Sequence, residues 1–317
     1  MQLIQHLDEV KGLAGSVVTD GMFDGIHLGH QQILQRLKEQ SIKMKLPSVL
    51  LTYWPHPRSV LQPDEPAVSL LSSLGEKTEL IEESGIDMML VLPFSHDFSQ
   101  KSHVEFVQEI LVGKLQTRHL IVGYNHRFGK ERMGNITYLA KAGFQYGFSL
   151  TEIGKTEVDA LAISSTRIRE ALLNRQPELA QSLLGRPYSI QGKVVKGRQL
   201  GRTIGFATAN LLPDEADKLI PANGVYITRA RIGKETLPAM TNIGTRPTVN
   251  GSERSIETHV LGLNADLYDQ EIRISFLHFL REEKKFSGLE ELKNQLAQDR
   301  KISLEFHGQL PDRLAGI

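Results

Sequence analysis

The sequence predicts an α/β domain built on a parallel sheet, followed by an antiparallel sheet or barrel with a C-terminal helix. Three observations carry this. In the first half, short apolar runs alternate with helix-like stretches, the pattern of a parallel sheet with helices on its faces. From about residue 184 the pattern becomes period-2 strands joined by Gly, Pro and Asn turns, the pattern of antiparallel sheets and barrels. The chain has 317 residues. At roughly 150 residues per domain this is about two domains, each able to bury its own core.

The elements follow in order. Residues 16–19 (Ser-Val-Val-Thr) form a short buried strand. A glycine-rich turn leads into a helix that runs to about Gln40, with His30, Ile33, Leu34 and Leu37 on one face at 3- and 4-residue spacing. Residues 48–52 form a second strand, ended by Pro55 and Pro57. A helix over 76–84, a strand over 88–92, a helix over 104–111 and a strand over 120–122 complete the alternation, with right-handed connections. In the second half, 188–196, 224–232, 255–261 and 271–279 read as strands. Tyr226, Thr228, Ala230 and Ile232 alternate with other residues, as do Ile272, Ile274 and Phe276. A last helix covers 289–298. The change of pattern places the domains at 1–183 and 184–317.

Composition excludes several classes. The hydrophobic fraction is 40% and the charged fraction 23%, ordinary for a folded chain and unlike disordered or collagen-like sequences. Lys and Arg total 37, as do Asp and Glu. Residues 1–180 carry 18 basic and 21 acidic residues, and the rest 19 and 16. Neither half has the basic excess of a duplex-DNA binder, so no nucleic-acid partner is expected. There are no cysteines. This removes disulfides, thiolate zinc sites and cysteine nucleophiles, and fits a cytoplasmic location. The N-terminus lacks the pattern of a signal peptide, and no apolar run of about 18 residues suggests a membrane span. The sequence does not set the oligomeric state, and a homo-oligomer stays open.

The sharpest motif is Gly21-Met-Phe23-Asp24-Gly25-Ile-His27-Leu-Gly29-His30, placed where a strand ends and a helix begins. Open α/β sheets bind ligands there. The helix N-terminus offers unpaired N–H groups and partial positive charge to a phosphate. Gly21, Gly25 and Gly29 let the backbone approach a ligand closely. His27 and His30, three apart, can both donate to a phosphoryl group as charge builds on it. Two histidines at a helix start also serve as a structural cap or part of a zinc site. Ser164, Ser165 and Thr166 open a further helix through Leu173, and Arg167 and Arg169 add charge at its positive end. A simple capped helix reads the same way.

His-x-Gly-His after such a strand resembles the nucleotidyltransferase superfamily. The longer motif is similar to the adenylyltransferase module of bacterial bifunctional riboflavin kinase/FAD synthetases. Thr52-Tyr-Trp-Pro55-His56-Pro57, Val122-Gly-Tyr-Asn125-His-Arg127-Phe-Gly129 and Ile163-Ser164-Ser165-Thr166-Arg167-Ile-Arg169 resemble three further blocks of that family. The resemblance implies catalytic roles for His27 and His30. It implies ATP phosphate binding by Gly21, Phe23, Asp24, Gly25, Gly29, Ser164, Ser165, Thr166 and Arg167, and flavin binding by Pro55, His56, Asn125 and Arg127. His126 departs from the family, which has Phe there.

In the second half, Gly197-Arg-Gln-Leu-Gly201-Arg-Thr-Ile-Gly205-Phe-Ala-Thr208-Ala-Asn210 is rich in Gly, basic and hydroxyl residues, and is not a Walker P-loop. A hairpin turn accounts for the glycines equally well. Thr208 and Asn210 offer oxygen ligands suited to Mg²⁺ carried in with ATP. The stretch resembles the riboflavin kinase motif, in which Pro stands where this chain has Ala207. Asn242-Ile-Gly-Thr-Arg-Pro-Thr248 and the 281–286 segment resemble two more of its blocks. The resemblance adds Gly197, Gly201 and Gly205 as ATP-binding, Thr208 and Asn210 as metal ligands, and Arg281 and Phe286 as flavin-binding. It also implies a six-stranded barrel. Alternation on 255–261 places Glu257 and His259 opposite Ile256, Thr258 and Val260. A carboxylate so placed can take the proton from an attacking hydroxyl, although a lone strand glutamate is more often only solvated.

The leading expectation is therefore ATP-dependent phosphorylation of riboflavin to FMN, then adenylylation of FMN to FAD with release of pyrophosphate. The partners are riboflavin, FMN and ATP, with Mg²⁺ as cofactor and no membrane. Two alternatives are the same fold with one live activity, and a flavin- or nucleotide-binding regulator without turnover.

Overall fold

A computed structural model describes residues 1–154, 163–197, 201, 204–248 and 251–309. Five residues of the glycine-rich 197–210 stretch (198–200, 202 and 203) lie outside them. Two compact units divide the chain at Ser165/Thr166.

The first unit is a sheet that is parallel, as the alternation predicts, and has six strands where the sequence showed four. Its strands are β1 (Gln2–Ile4), β2 (Ser16–Asp20), β3 (Ser48–Trp54), β4 (Met88–Pro93), β5 (Thr117–Gly123) and β6 (Ser149–Ile153). Their order is β1-β4-β3-β2-β5-β6, and every pairing is parallel. The helices are α1 (Leu28–Met44), α2 (Pro57–Leu61), α3 (Leu74–Glu83), α4 (His96–Ser99), α5 (His103–Glu105) and α6 (Ile136–Tyr146). Because strand side chains alternate, the two sheet faces feed separate cores. Val18, Val49, Leu51, Leu90, Leu120 and Val122 pack on one side with Phe106, Ile110 and Leu139. Val17, Leu50, Met89, Val91 and Ile121 pack on the other with Leu34 and Leu37 of α1 and Ile81 of α3.

The order of strands has a consequence for function. The chain leaves β2 toward β3 on one side, while β5 returns on the other. A crevice therefore opens at the carboxyl ends of β2 and β5, the usual ligand position in such sheets.

The helix expected over 104–111 begins one residue earlier as α5 and continues from Phe106 to Lys114 with π-type bonding, closed by the Leu115 N–H on the Ile110 carbonyl. The extra residue per turn has no signature in the apolar spacing.

The second unit opens with α7 (Ser165–Leu173, straddling the division) and α8 (Pro177–Leu184). The strands β7 (Tyr188–Val195), β8 (Ala209–Pro213), β9 (Gly224–Ile232), β10 (Glu235–Thr248), β11 (Gly251–Val260) and β12 (Glu271–Arg281) close into a six-stranded antiparallel barrel, order β10-β11-β8-β7-β12-β9. Its interior holds Tyr188, Ile190, Tyr226, Ala230, Ile243, Ile256 and Phe276. The buried hydroxyls of Thr228, Thr241 and Thr258 bond in a row at 2.8 and 2.9 Å, which satisfies them without water. Helix α9 (Leu289–Gln309) runs eleven residues beyond the expected end at 298. The buried Asp299 anchors it, gripping the Arg281 guanidinium at 3.0 and 2.7 Å. The His307 Nε2–H donates to the Thr228 carbonyl at 3.0 Å.

Candidate active sites

The histidine motif forms the floor of the β2/β5 crevice. After Asp20 the chain turns through Phe23 (φ 48°), Gly25 (φ 82°) and Ile26 (φ 40°) before entering α1. A β-branched residue in the left-handed region is a true outlier, held here by burial of Phe23 and Ile26 in the core. The turn leaves His27 as the N-cap of α1, its Nδ1 accepting the His30 N–H at 3.2 Å. The structural-cap reading thus holds for His27. The two rings stack with centroids 3.6 Å apart.

Asp24 stabilises the turn rather than the cavity. Its carboxylate accepts the Leu71 and Ser72 N–H groups at 3.0 and 3.1 Å, and the Ser165 hydroxyl donates to its carbonyl at 3.0 Å. Beneath the turn lies Lys77, 1% exposed, with its ammonium donating to the Met22 carbonyl at 2.7 Å and lying 5.8 Å from the Trp54 ring centre. Burial lowers its pKa to about 8 against the opposing pull of Asp24.

The crevice is a cavity of about 1080 Å³. It is lined by Gly21, Phe23, His27, Gly29, His30, Asn125, Arg127, Ser164 and Ser165 of the expected site residues. Asp24, Gly25, Pro55 and His56 do not line it. His56 instead caps α2, accepting the Arg58 N–H at 3.1 Å. Thr166 and Arg167 follow in the first turn of α7.

Sequence reasoning missed an aromatic bay in the same cavity, formed by Tyr53, Phe94, Phe98, Phe106 and Phe128. Asp20, buried at the end of β2, accepts the Tyr53 hydroxyl at 2.7 Å and lies 3.4 Å from His126 Nε2. Burial, then the Asp20 charge, keeps Tyr53 protonated well above the ordinary tyrosine range. His126, where the family motif has Phe, stacks against Phe128 with centroids 5.5 Å apart. Lys101, Arg127, Lys130 and Arg132 add positive charge to the lining. An apolar aromatic bay joined to cationic groups suits a flat ring bearing a phosphate.

The barrel holds the second site. Across three adjacent strands, Asn210 of β8, Glu257 of β11 and Asn242 of β10 stand opposite one another. Thr258 and Thr241, one residue along, are buried inside, so the Asn210–Glu257–Asn242 row belongs to the outer face. The expected alternation along β11 is observed: Ile256, Thr258 and Val260 are buried, Glu257 and His259 half-buried. The glycines are packed as close approaches. A Cβ on Gly197 would lie 2.2 Å from the Asn210 amide nitrogen, and one on Gly201 would lie 2.1 Å from the Phe206 carbonyl. Gly205, φ 83°, turns the chain toward Thr208. No group of three or more His, Cys, Asp or Glu among the described residues could hold a metal ion. The hydroxyl of Thr208 and the amide of Asn210 are hard oxygen donors, which fits an ion that arrives with nucleotide phosphates. Arg281 is engaged by Asp299, and its Nη1 donates to the Glu282 carbonyl. Phe286 lies beneath the Lys284 ammonium. Arg254 crosses to the 220–223 turn, donating to the Ile220 and Pro221 carbonyls and, at 3.0 Å, to Asn223.

A parallel sheet that opens onto a helix N-terminus with paired imidazoles defines a transferase acting on nucleotide phosphates, here joined in one chain to a barrel with a carboxylate beside a glycine-rich loop. Comparison with known proteins gives the family. Residues 10–167 match the family model described as FAD synthetase, and residues 184–307 the one described as riboflavin kinase. The bifunctional riboflavin kinase/FMN adenylyltransferase of Escherichia coli K12 is 39% identical over 93% of both chains. That of Pseudomonas fluorescens is 37% identical over 94% of this chain and 96% of its own. A crystal structure described as a macrolide-efflux protein from Streptococcus pneumoniae superposes with a TM-score of 0.84 at 28% identity, covering 95% of this chain and 97% of that one. No helix among the described residues is long and apolar enough to cross a membrane. The chain belongs to the bifunctional riboflavin kinase/FMN adenylyltransferase family.

Proposed function

We infer that the chain makes flavin cofactors in two ATP-dependent steps, riboflavin to FMN and FMN to FAD. The observation that carries this is the co-occurrence, in one chain that matches its relatives nearly end to end, of both family matches with both sites. We assign adenylyl transfer to residues 1–183 and the kinase to residues 184–317.

In the kinase, the 5′-hydroxyl of riboflavin attacks the γ-phosphorus of ATP, the bridging P–O bond breaks, and ADP leaves. Glu257 takes the hydroxyl proton. Gly197, Gly201 and Gly205 lie against the nucleotide, and Arg281 and Phe286 border the flavin. Thr208 and Asn210 would hold a Mg²⁺ brought in with ATP, which would offset charge on the phosphate oxygens. In the other site, an FMN phosphate oxygen attacks the α-phosphorus of ATP and pyrophosphate leaves. His27 and His30 donate to the phosphoryl oxygens as charge grows on them. Gly21, Phe23, Gly29 and Ser164 to Arg167 hold the ATP phosphates. The aromatic bay with Asn125 and Arg127 takes the flavin. Asp24 and Gly25 shape the turn, and Pro55 and His56 sit in the link between β3 and α2, outside the cavity lining. A reducing cytoplasm suits a chain without cysteine.

The test is product chromatography after incubation with riboflavin, ATP and Mg²⁺. FMN should appear first and FAD after it, with neither in excess EDTA. Bound riboflavin recovered unchanged would point to a regulator instead.

A further inference from the structure

The glycine-rich turn of the kinase ends in the groups assigned to the nucleotide, Thr208 and Asn210. Two contacts fix that end. Phe206 is buried in a small apolar cluster with Met240 and Leu261, and Ile204 and Leu296 pack against it. The next residue, Ala207, is exposed, and its carbonyl lies 2.7 Å from Nδ1 of His259. A carbonyl only accepts, so Nδ1 carries the proton. The His259 ring also lies against Phe206, with centroids 5.3 Å apart. Burial holds the pKa of His259 below its ordinary value, and this contact places the proton on Nδ1.

His259 is on the same strand and the same face as Glu257, two residues away. Glu257 stands opposite Asn210 in register, and His259 reaches Ala207 three residues upstream of it. One face of β11 therefore presents the base and the pin of the nucleotide turn side by side. A proline at 207 would restrict the backbone there by ring closure. This chain has Ala, and the backbone is restrained from outside.

We propose that His259 is a positioning residue of the kinase, its Nδ1–H holding the Ala207 carbonyl so that Thr208 and Asn210 are set in register with Glu257. The proposal rests on the kinase reading of the Asn210–Glu257 row. It assigns His259 no contact with a reacting atom. Its loss should weaken nucleotide capture more than the chemical step.

Three variants of the full chain test it, each assayed for riboflavin phosphorylation with ATP varied, for FAD formation from supplied FMN, and for thermal melting. His259→Phe keeps a ring against Phe206 and removes the donor. It should raise the KM for ATP on the order of tenfold, with a smaller fall in kcat. His259→Asn keeps a donor near the Nδ1 position and should recover most of that loss. Adding Ala207→Pro to His259→Phe should also lower the KM again, because ring closure replaces the lost restraint. FAD formation should be unchanged in all three. A wild-type KM in His259→Phe, in an enzyme that Glu257→Gln inactivates, overturns the proposal and leaves the kinase reading standing. A loss that neither Asn nor Ala207→Pro relieves overturns it too. If Glu257→Gln itself phosphorylates riboflavin normally, the underlying reading fails first.

Discussion

His27 and His30 stack at 3.6 Å with their planes 13° apart because one caps the helix whose first turn carries the other. The cap fixes His27 against the His30 backbone, so both rings reach the cavity from one point. Removing one donor of such a pair typically costs about 10²–10³ in rate. His27→Ala and His30→Ala should each accumulate FMN from riboflavin and make little FAD. Normal FAD output from both would show that the pair is only a cap.

Lys77 makes a pH-dependent contribution with a definite sign. Its folded-state pKa of about 8 lies below the ordinary lysine value of 10.5. Between these values the unfolded chain holds the proton and the folded chain does not, so raising pH over that window favours folding at this residue. Lys77→Met removes the term. Thermal melts of both proteins at several pH values from 8 to 10.5 should show wild type gaining on the variant as pH rises. Parallel curves would mean that the ammonium is not desolvated.

On the acid side, burial is the main cause of the lowered pKa values of His119, His259 and His307. Unfolding lets each take up a proton near the ordinary value of about 6.5. The stability that goes with keeping them neutral is present above that value and is lost as pH falls through the lower folded-state values. Melting temperature should therefore drop between pH 7 and 5, and less steeply in a His119→Gln variant. An unchanged slope would place the acid sensitivity elsewhere.

The Arg281–Asp299 pair ties α9 to β12, with Asp299 1% exposed. Removing one partner of a buried pair leaves the other charge uncompensated, at a typical cost of about 3 kcal/mol or more. Asp299→Ala should lower the denaturant midpoint of the barrel unit accordingly. A change under about 0.5 kcal/mol would mark the pair as a surface contact.

What was legible in the sequence was local. The His27–His30 motif, the alternation around Glu257 and the strands over 16–19 and 224–232 depend on neighbours in the chain, and the spacing reveals them. Strand β10 was hidden by Pro238, Gly244 and Pro247, which read as turns; the strand pairs with β9 only as far as Ile243 and with β11 from Ala239 to Thr248. Edge strands β1 and β6 were too short or too polar to show. The Asp20–Tyr53 pair spans two strands and 33 residues, so only the sheet register brings it together. The Arg281–Asp299 grip likewise needed the docked helix to be visible. His259 stood beside Glu257 in the sequence, but its partner at Ala207 lies 52 residues away.

The central claim is that two chemically separate sites serve the two steps, and reciprocal variants test it most directly. Glu257→Gln keeps size and hydrogen bonding but cannot accept the hydroxyl proton, so riboflavin phosphorylation should fall by at least about 10²-fold. FAD formation from supplied FMN should be nearly unchanged, and His30→Ala should show the reverse pattern in the same chromatographic assay. Loss of both activities in either folded variant, as judged by thermal melting, would contradict the separation, and intact phosphorylation in Glu257→Gln would remove Glu257 as the base.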